Sequence, residues 1–184
     1  MNILNETIIC AGFGGQGIMV LGKVLANAGM DKGLHVTWMP SYGAEVRGGT
    51  AHSDVRLSSS PIASPLISQA DTVIAMNTPS LDKFEERLVP GGLLIINTSL
   101  VRRASFRKDI KVVRLSLTDE AIKLGNVRVA NMIAVGAFEA IKKIFGKNIL
   151  MNVMKRMAAG REEILPANIK ALEMGMQTGM SGNV

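Results

Sequence analysis

A chain of 184 residues with 47% hydrophobic side chains can bury a core without metal or disulfide staples. Its formal charge of +6 points to an acidic ligand, an acidic partner or nucleic acid, while a single cysteine, Cys10, excludes a disulfide framework and a four-cysteine cluster. No run of about 18 apolar residues is present to span a bilayer, and Asn5 and Glu6 interrupt the start before it reads as a secretory signal, so one cytoplasmic domain over residues 1–184 is expected.

The first apolar run, residues 7–11, predicts a strand with Cys10 packed inside it. Gly12-Phe13-Gly14-Gly15-Gln16-Gly17 follows, and a helix-compatible stretch starts near Ile18. Glycines let a backbone turn sharply beside an anion, and the amides of the next helix point at it with the positive end of the dipole. The motif is therefore a candidate phosphate cradle, although the same spacing also serves a plain strand-to-helix turn. The second strand, 36–38, runs into Met39-Pro40-Ser41 with no carboxylate roughly 20 residues past the glycines, where a dinucleotide site needs one for the ribose hydroxyls. Asp31 precedes that strand, so NAD is disfavoured.

A Gly-rich polar loop comes next, Ser41-Tyr42-Gly43-Ala44-Glu45-Val46-Arg47-Gly48-Gly49-Thr50-Ala51-His52, and leads into an alternating strand over 50–57. Charged groups on a flexible backbone suit a binding or subunit-contact loop. Further strands are predicted at 72–76, 93–97 and 111–115. Between the first two, Thr78 is expected to cap a helix with Pro79 at its first position, Leu81, Phe84 and Leu88 on its apolar face, and Pro90-Gly91-Gly92 as its stop. Thr118 is expected to cap a short acidic helix, followed by helices over 128–143, from a cap at Asn148 to about 159, and from Pro166 to an end that frays through Gly175, Gly179 and Gly182. Strands alternating with helices predict an α/β fold: a Rossmann-like, doubly wound, mainly parallel sheet with an extended insertion after the second strand and a helical C-terminal part.

The glycine motif at 12–17, the Pro40-Ser41-Tyr42-Gly43-Ala44-Glu45-Val46-Arg47-Gly48-Gly49 loop, Ala70-Asp71, Pro90-Gly91-Gly92 and Asn131 together resemble the gamma subunit of the 2-oxoacid:ferredoxin oxidoreductases, over nearly the whole chain. The resemblance implies a CoA-acylating oxidative decarboxylation in which thiamine diphosphate attacks the keto carbon and iron–sulfur clusters carry electrons to ferredoxin. This chain has no Gly-Asp-Gly thiamine segment, so thiamine diphosphate and the clusters are assigned to alpha and beta partners, with a ferredoxin-like delta subunit where the assembly has one. The expected role here is coenzyme A binding and subunit packing, with no catalytic side chain and no metal. Gly14, Gly15 and Gln16 are expected to line the ligand, with the Gln16 amide donating to phosphate or to a neighbouring subunit, and Gly12 and Gly17 to serve turn and packing. Arg128 and Asn131 are expected on one face of the late helix, facing a phosphate. Tyr42, Glu45, Arg47 and His52 are assigned to the interface with the large subunits. The glycine motif and the Tyr42 loop look closest to the 2-oxoglutarate and branched-chain types, and 2-oxoglutarate is the expected substrate.

Two other readings fit parts of the sequence. A stand-alone adenine-nucleotide module would use the glycine loop alone. A nucleic-acid binder would use the basic clusters at 102–108 and 142–147, but Phe106 alone provides no stacking platform. Positive mean hydropathy favours surface buried against partners, including a second copy when the chain is isolated.

Overall fold

The computed structural model describes residues 3–41 and 50–181. Six strands form one sheet: β1 (Asn5–Phe13), β2 (His35–Ser41), β3 (Thr50–Ser58), β4 (Ala70–Ala75), β5 (Leu88–Asn97) and β6 (Lys111–Leu115), in the order β2-β3-β1-β4-β5-β6. β1, β4, β5 and β6 are parallel neighbours, whereas β3 pairs antiparallel with both β1 and β2. The insertion strand thus lies between the first two strands. Continuous burial along β1 reflects its central place, and Pro40, which lacks a ladder donor, is tolerated because β2 is an edge.

The two faces of the sheet are covered unequally. α1 (Ile18–Asp31), α3 (Leu117–Lys123), α4 (Ala130–Lys142), α5 (Lys147–Met157) and α6 (Leu165–Ser181) build the larger core against Ile8, Cys10, Ile74 and Ile95. On α1 the spacing of Ile18, Leu21, Val24, Leu25 and Ala28 gives one apolar stripe. The other face carries α2 (Thr78–Phe84), whose Leu81 and Phe84 cover Ile9, Ala11, Val73 and Ile96.

Several boundaries differ from expectation. Asn77, not Thr78, caps α2: its side chain accepts from the Ser80 amide at 2.9 Å. α2 ends at Phe84 and tightens into a 3-10 turn, Glu85–Arg87. Pro90-Gly91-Gly92 is not the helix stop but an irregularity inside β5, where the register against β4 shifts between Ala70 and Thr72. At α3 the Asn97 side chain accepts from the Thr118 amide at 3.3 Å, so Thr118 is capped rather than capping. The predicted helix over 128–143 divides into a 3-10 turn, Val127–Val129, and α4. Asn148 lies inside α5, which starts after Gly146.

The largest correction concerns the C-terminal glycines. Gly175 and Gly179 do not mark a fraying end, because they pack α6 directly on α4. A Cβ on Gly175 would overlap the Ile133 carbonyl, one on Gly179 would sit 2.8 Å from the Ala137 Cα, and one on Gly136 would overlap the Leu172 carbonyl. Here the glycines exchange helix propensity for contact between backbones. Gly182 lies outside the described residues.

Candidate functional site

The site forms where β1 ends and α1 begins. Gly17 occupies the N-cap of α1 with φ 72° and ψ 27°, a left-handed conformation, and gives no side-chain cap. The first amides of α1 are therefore left for a ligand. The Gly14 and Gly15 amides also find no acceptor among the described residues. Gly14 and Gly15 line a cavity of about 300 Å³ together with Phe13, Gln16, Leu100, Thr118, Val127 and Arg128.

Behind the loop runs a polar network. Gln16 Oε1 accepts from the Phe13 amide at 2.6 Å and from Asn77 Nδ2 at 3.0 Å, while Gln16 Nε2 approaches the Met76 carbonyl at 3.4 Å. Asn97 Nδ2 donates to the same carbonyl at 3.1 Å and to Thr118 Oγ1 at 2.9 Å. Gln16 is thus held from within, its Oε1 by two donors and its Nε2 by one long contact, which leaves one Nε2 hydrogen without an acceptor among the described residues at the cavity it lines. It shapes the loop, and a Cβ on Gly12 would lie 2.6 Å from its Oε1. Asn77 and Asn97, 1% and 0% exposed, are the residues that the sequence pattern did not reveal. Their only signal is an asparagine at each of two neighbouring strand ends.

Asn131 and Arg128 are brought together, but in different roles. Asn131 is 6% exposed and its Nδ2 donates to the Gly17 carbonyl at 3.2 Å, so it holds the loop from α4. Gly17 cannot carry a side chain there, since a Cβ would overlap that amide. Arg128 stands in the 3-10 turn before α4, its backbone amide donating to Asn126 Oδ1 at 3.0 Å. Its guanidinium is exposed and forms no ion pair or hydrogen bond among the described residues. It lines the first cavity and also a second, of about 190 Å³, bordered by Asn131, Met132, Met154, Met157 and Arg161.

Among the described residues no carboxylate stands at the end of β2, and that end is set back from the glycine loop. Phe13 and Gly12 pair with Thr50 and Ala51 of β3, so the end of β2 is one strand further from the glycine loop. One strand spacing is about 4.8 Å, and Ser41 at that end is uncharged.

Tyr42, Glu45 and Arg47 lie outside the described residues. His52 lines neither cavity. It stacks on Phe84 at 5.0 Å between ring centroids, on the face that bears α2. Burial, then Lys83 and Arg87, hold its imidazole below the usual histidine range. Asp54, two residues along the same face, is pushed up by burial, with Arg87 opposing. Cys10 is fully buried, which drives its thiol well above the usual range, so it is neither nucleophile nor ligand. Among the described residues no group of three acidic, histidine or cysteine side chains could hold a metal, and no helix is long and apolar enough to cross a membrane. Several cations of the basic clusters are paired: Arg103 with Asp82 and Glu85, Arg107 with Asp109, Lys142 with Glu6, and Lys147 with Glu173.

Comparison with known proteins gives this geometry its place. The family model described as pyruvate ferredoxin/flavodoxin oxidoreductase matches residues 7–178. The ketoisovalerate oxidoreductase subunit VorA of Methanothermobacter thermautotrophicus is 33% identical over 91% of this chain, which spans 35% of that relative's length. The 2-oxoglutarate synthase subunit KorC of the same organism is 30% identical, with 98% of each chain covered. Among solved structures, the gamma subunit of a keto/oxoacid ferredoxin oxidoreductase from Geobacter sulfurreducens PCA matches with a TM-score of 0.82 at 27% identity, over 96% of this chain and 99% of that one. With a family match from the first strand into the last helix, on a sheet and helix layer shared with that gamma subunit, the chain belongs to the pyruvate ferredoxin/flavodoxin oxidoreductase family.

Proposed function

We propose that the chain is the gamma subunit of a multi-subunit 2-oxoacid:ferredoxin oxidoreductase, that it binds coenzyme A at the glycine-loop cavity, and that the assembly acts on 2-oxoglutarate. The observation that carries the coenzyme A reading is one cavity with two chemistries. Free loop amides line it together with the unpaired Arg128, the uncapped start of α1 follows the loop directly, and among the described residues no carboxylate lines it to clamp a ribose. Coenzyme A bears a pyrophosphate and a ribose phosphate, which call for backbone donors and a cation rather than an acidic clamp. As the acyl acceptor it supplies the thiol of the thioester product. The chain's own part is to bind and orient it: Asn131 fixes the loop, the Gln16–Asn77–Asn97 network fixes the cavity floor, and Arg128 offsets phosphate charge.

Thiamine diphosphate and iron–sulfur clusters do not fit the groups present here, since Cys10 is a single buried thiol. We assign them to alpha and beta chains, and to a ferredoxin-like delta chain where present, with ferredoxin as the electron acceptor. Tyr42, Glu45, Arg47 and His52 are proposed to meet the large subunits, in the cytoplasm, and the isolated chain to self-associate.

The test is to purify the tagged chain anaerobically with its partners and follow viologen reduction on a panel of 2-oxoacids, with and without coenzyme A. Coenzyme A-dependent reduction on 2-oxoglutarate is expected. In that assembly Asn131→Ala should raise the KM for coenzyme A about tenfold, as loss of one positioning hydrogen bond predicts, with the 2-oxoacid KM unchanged. An unchanged coenzyme A KM would remove the loop from the binding site.

A further inference from the structure

β5 and β6 are parallel neighbours, so the chain must cross back between them, and it does so without a helix, through residues 98–110. Burial alternates residue by residue along the middle of this crossover, which marks it as extended. The inner row is tied to the α2 face. Val101 is 3% exposed in the apolar core there, Arg103 pairs with Asp82 at 2.6 Å and Glu85 at 2.8 Å, Ser105 donates to Glu85, and Arg107 donates to the Leu88 carbonyl at 2.8 Å. The outer row, Arg102, Ala104, Phe106 and Lys108, is exposed throughout. Phe106 is 58% exposed, and the Arg103 guanidinium, 5.1 Å from its ring centroid, braces it. The Arg102 and Lys108 side chains form no ion pair or hydrogen bond among the described residues.

The acids around the crossover are engaged by its inner row. Asp82 and Asp109 pair with Arg103 and Arg107, Glu85 is 0% exposed, and exposed Glu86 acts on Arg107. The outer row therefore presents a positive charge at each end, an aromatic ring between them and no carboxylate of its own. Fastening from behind removes much of the ordering cost that a free loop meets on binding. We propose that this row is a docking strip for an extended acidic segment of a partner chain, with carboxylates meeting Arg102 and Lys108 and an apolar side chain on Phe106. The two cations are about 20 Å apart at full extension, so a segment of about seven residues with the same alternation spans them. Successive bases of a nucleic acid need successive stacking faces, whereas one aromatic anchor with charge at its rim is the composition of a protein interface. The inference rests on the multi-subunit reading above and adds where one partner lies.

The test puts a photoreactive benzoylphenylalanine in place of Phe106 in the full chain, purified anaerobically with its partners, and reads the cross-linked peptide by mass spectrometry. One segment of a partner chain is expected, with carboxylates on both sides of the cross-linked residue. Arg102→Glu combined with Lys108→Glu should lower that cross-link about tenfold at low salt, as two attractive exposed pairs become repulsive. The Tm of the isolated chain should stay unchanged, because neither side chain is bonded within it. Exchanging the contacted carboxylates for lysine should restore the cross-link to the double variant, which a damaged fold would not allow. An assembled complex that gives no cross-link from this position, or one to RNA, to lipid or to a segment without carboxylates, would overturn the docking strip and leave the subunit reading intact. A chain that purifies without partners would overturn both.

Discussion

The two faces of the sheet are held by different physics. On the face covered by α1, α3, α4, α5 and α6 the contacts are mainly apolar, with buried Glu139 accepting from the Phe145 and Gly146 amides and Glu6 pairing with Lys142, and α4 and α6 meet through Gly136, Gly175 and Gly179. On the α2 face a thinner layer is fastened by polar anchors. Glu85, 0% exposed, accepts from Ser105 Oγ and from the Phe106 amide at 2.9 Å, and pairs with Arg103 at 2.8 Å. Arg107 donates to the Leu88 carbonyl at 2.8 Å, and Asp71 accepts from the Thr7 amide and hydroxyl at 2.9 and 2.6 Å. One face depends on shape and the other on satisfied charge. The glycine loop lies where they meet, tied to the first by Asn131 and to the second through Asn77.

The contrast is broken most sharply at Gly175. Gly175→Val drives a side chain into the Ile133 backbone, which cannot withdraw as a flexible side-chain tip could. A loss of about 3 kcal/mol or more is expected, at the upper end of overpacking. Urea unfolding measures it, and a cost below about 1 kcal/mol would show that the helices separate easily. On the other face Glu85→Gln keeps the shape and removes the charge. It leaves Arg103 with exposed Asp82 alone and weakens the bonds to the 105–107 segment. Because the Arg103 side chain is 30% exposed, water recovers part of the loss. About 2 kcal/mol is expected, with faster proteolysis near Phe106. Equal rates for variant and parent would mean that apolar packing alone holds this segment.

These two sites also mark where the sequence is legible. Strands with continuous burial, such as β1, and the apolar stripe of α1 are written in local periodicity, and so is the exceptional second loop that carries the family resemblance. The placement of β3 between β1 and β2 is not local. It follows from which edge of β1 the chain pairs with after β2, and no periodicity encodes that. Gly175 was misplaced for a related reason. A glycine near a helix end signals fraying only when nothing lies against it, and α4 lies against this one. In the site the glycine motif and Arg128 were legible as donors and a cation, whereas Asn97 acts through the Met76 carbonyl just beyond β4 and Asn77 through the Gln16 side chain, contacts between distant parts of the chain. The three internal partners of Gln16, on β1 and just beyond β4, likewise cannot be seen together in the sequence.

The smallest predicted effect turns on the sign of each buried group's pH dependence. Glu6, beside β4 and α4, is raised by burial, with Lys142 and Thr72 opposing. Its folded form binds the proton more tightly than the unfolded chain does, so its contribution is present below about pH 4.5 and lost as pH rises through the raised value. Asp54 acts in the same sense from about pH 3.8 upward. His52 has the opposite sign. Its imidazole is lowered by burial and by Lys83 and Arg87, so the unfolded chain binds the proton more tightly. Its contribution is present above about pH 6.5 and lost as pH falls from 6.5 through the lowered value. His52→Phe preserves the stack on Phe84 and removes the titration, so it should flatten the fall in stability between neutral pH and the carboxylate range, by less than about 1 kcal/mol for a partly exposed ring. Lys83→Gln should make the same fall smaller and end it at a higher pH where His52 is retained, because a neighbouring positive charge is gone and the folded value moves back toward 6.5. A fall that persists unchanged in His52→Phe would place the titrating group elsewhere, and the α2 face would then carry no acid-sensitive group of its own in that range.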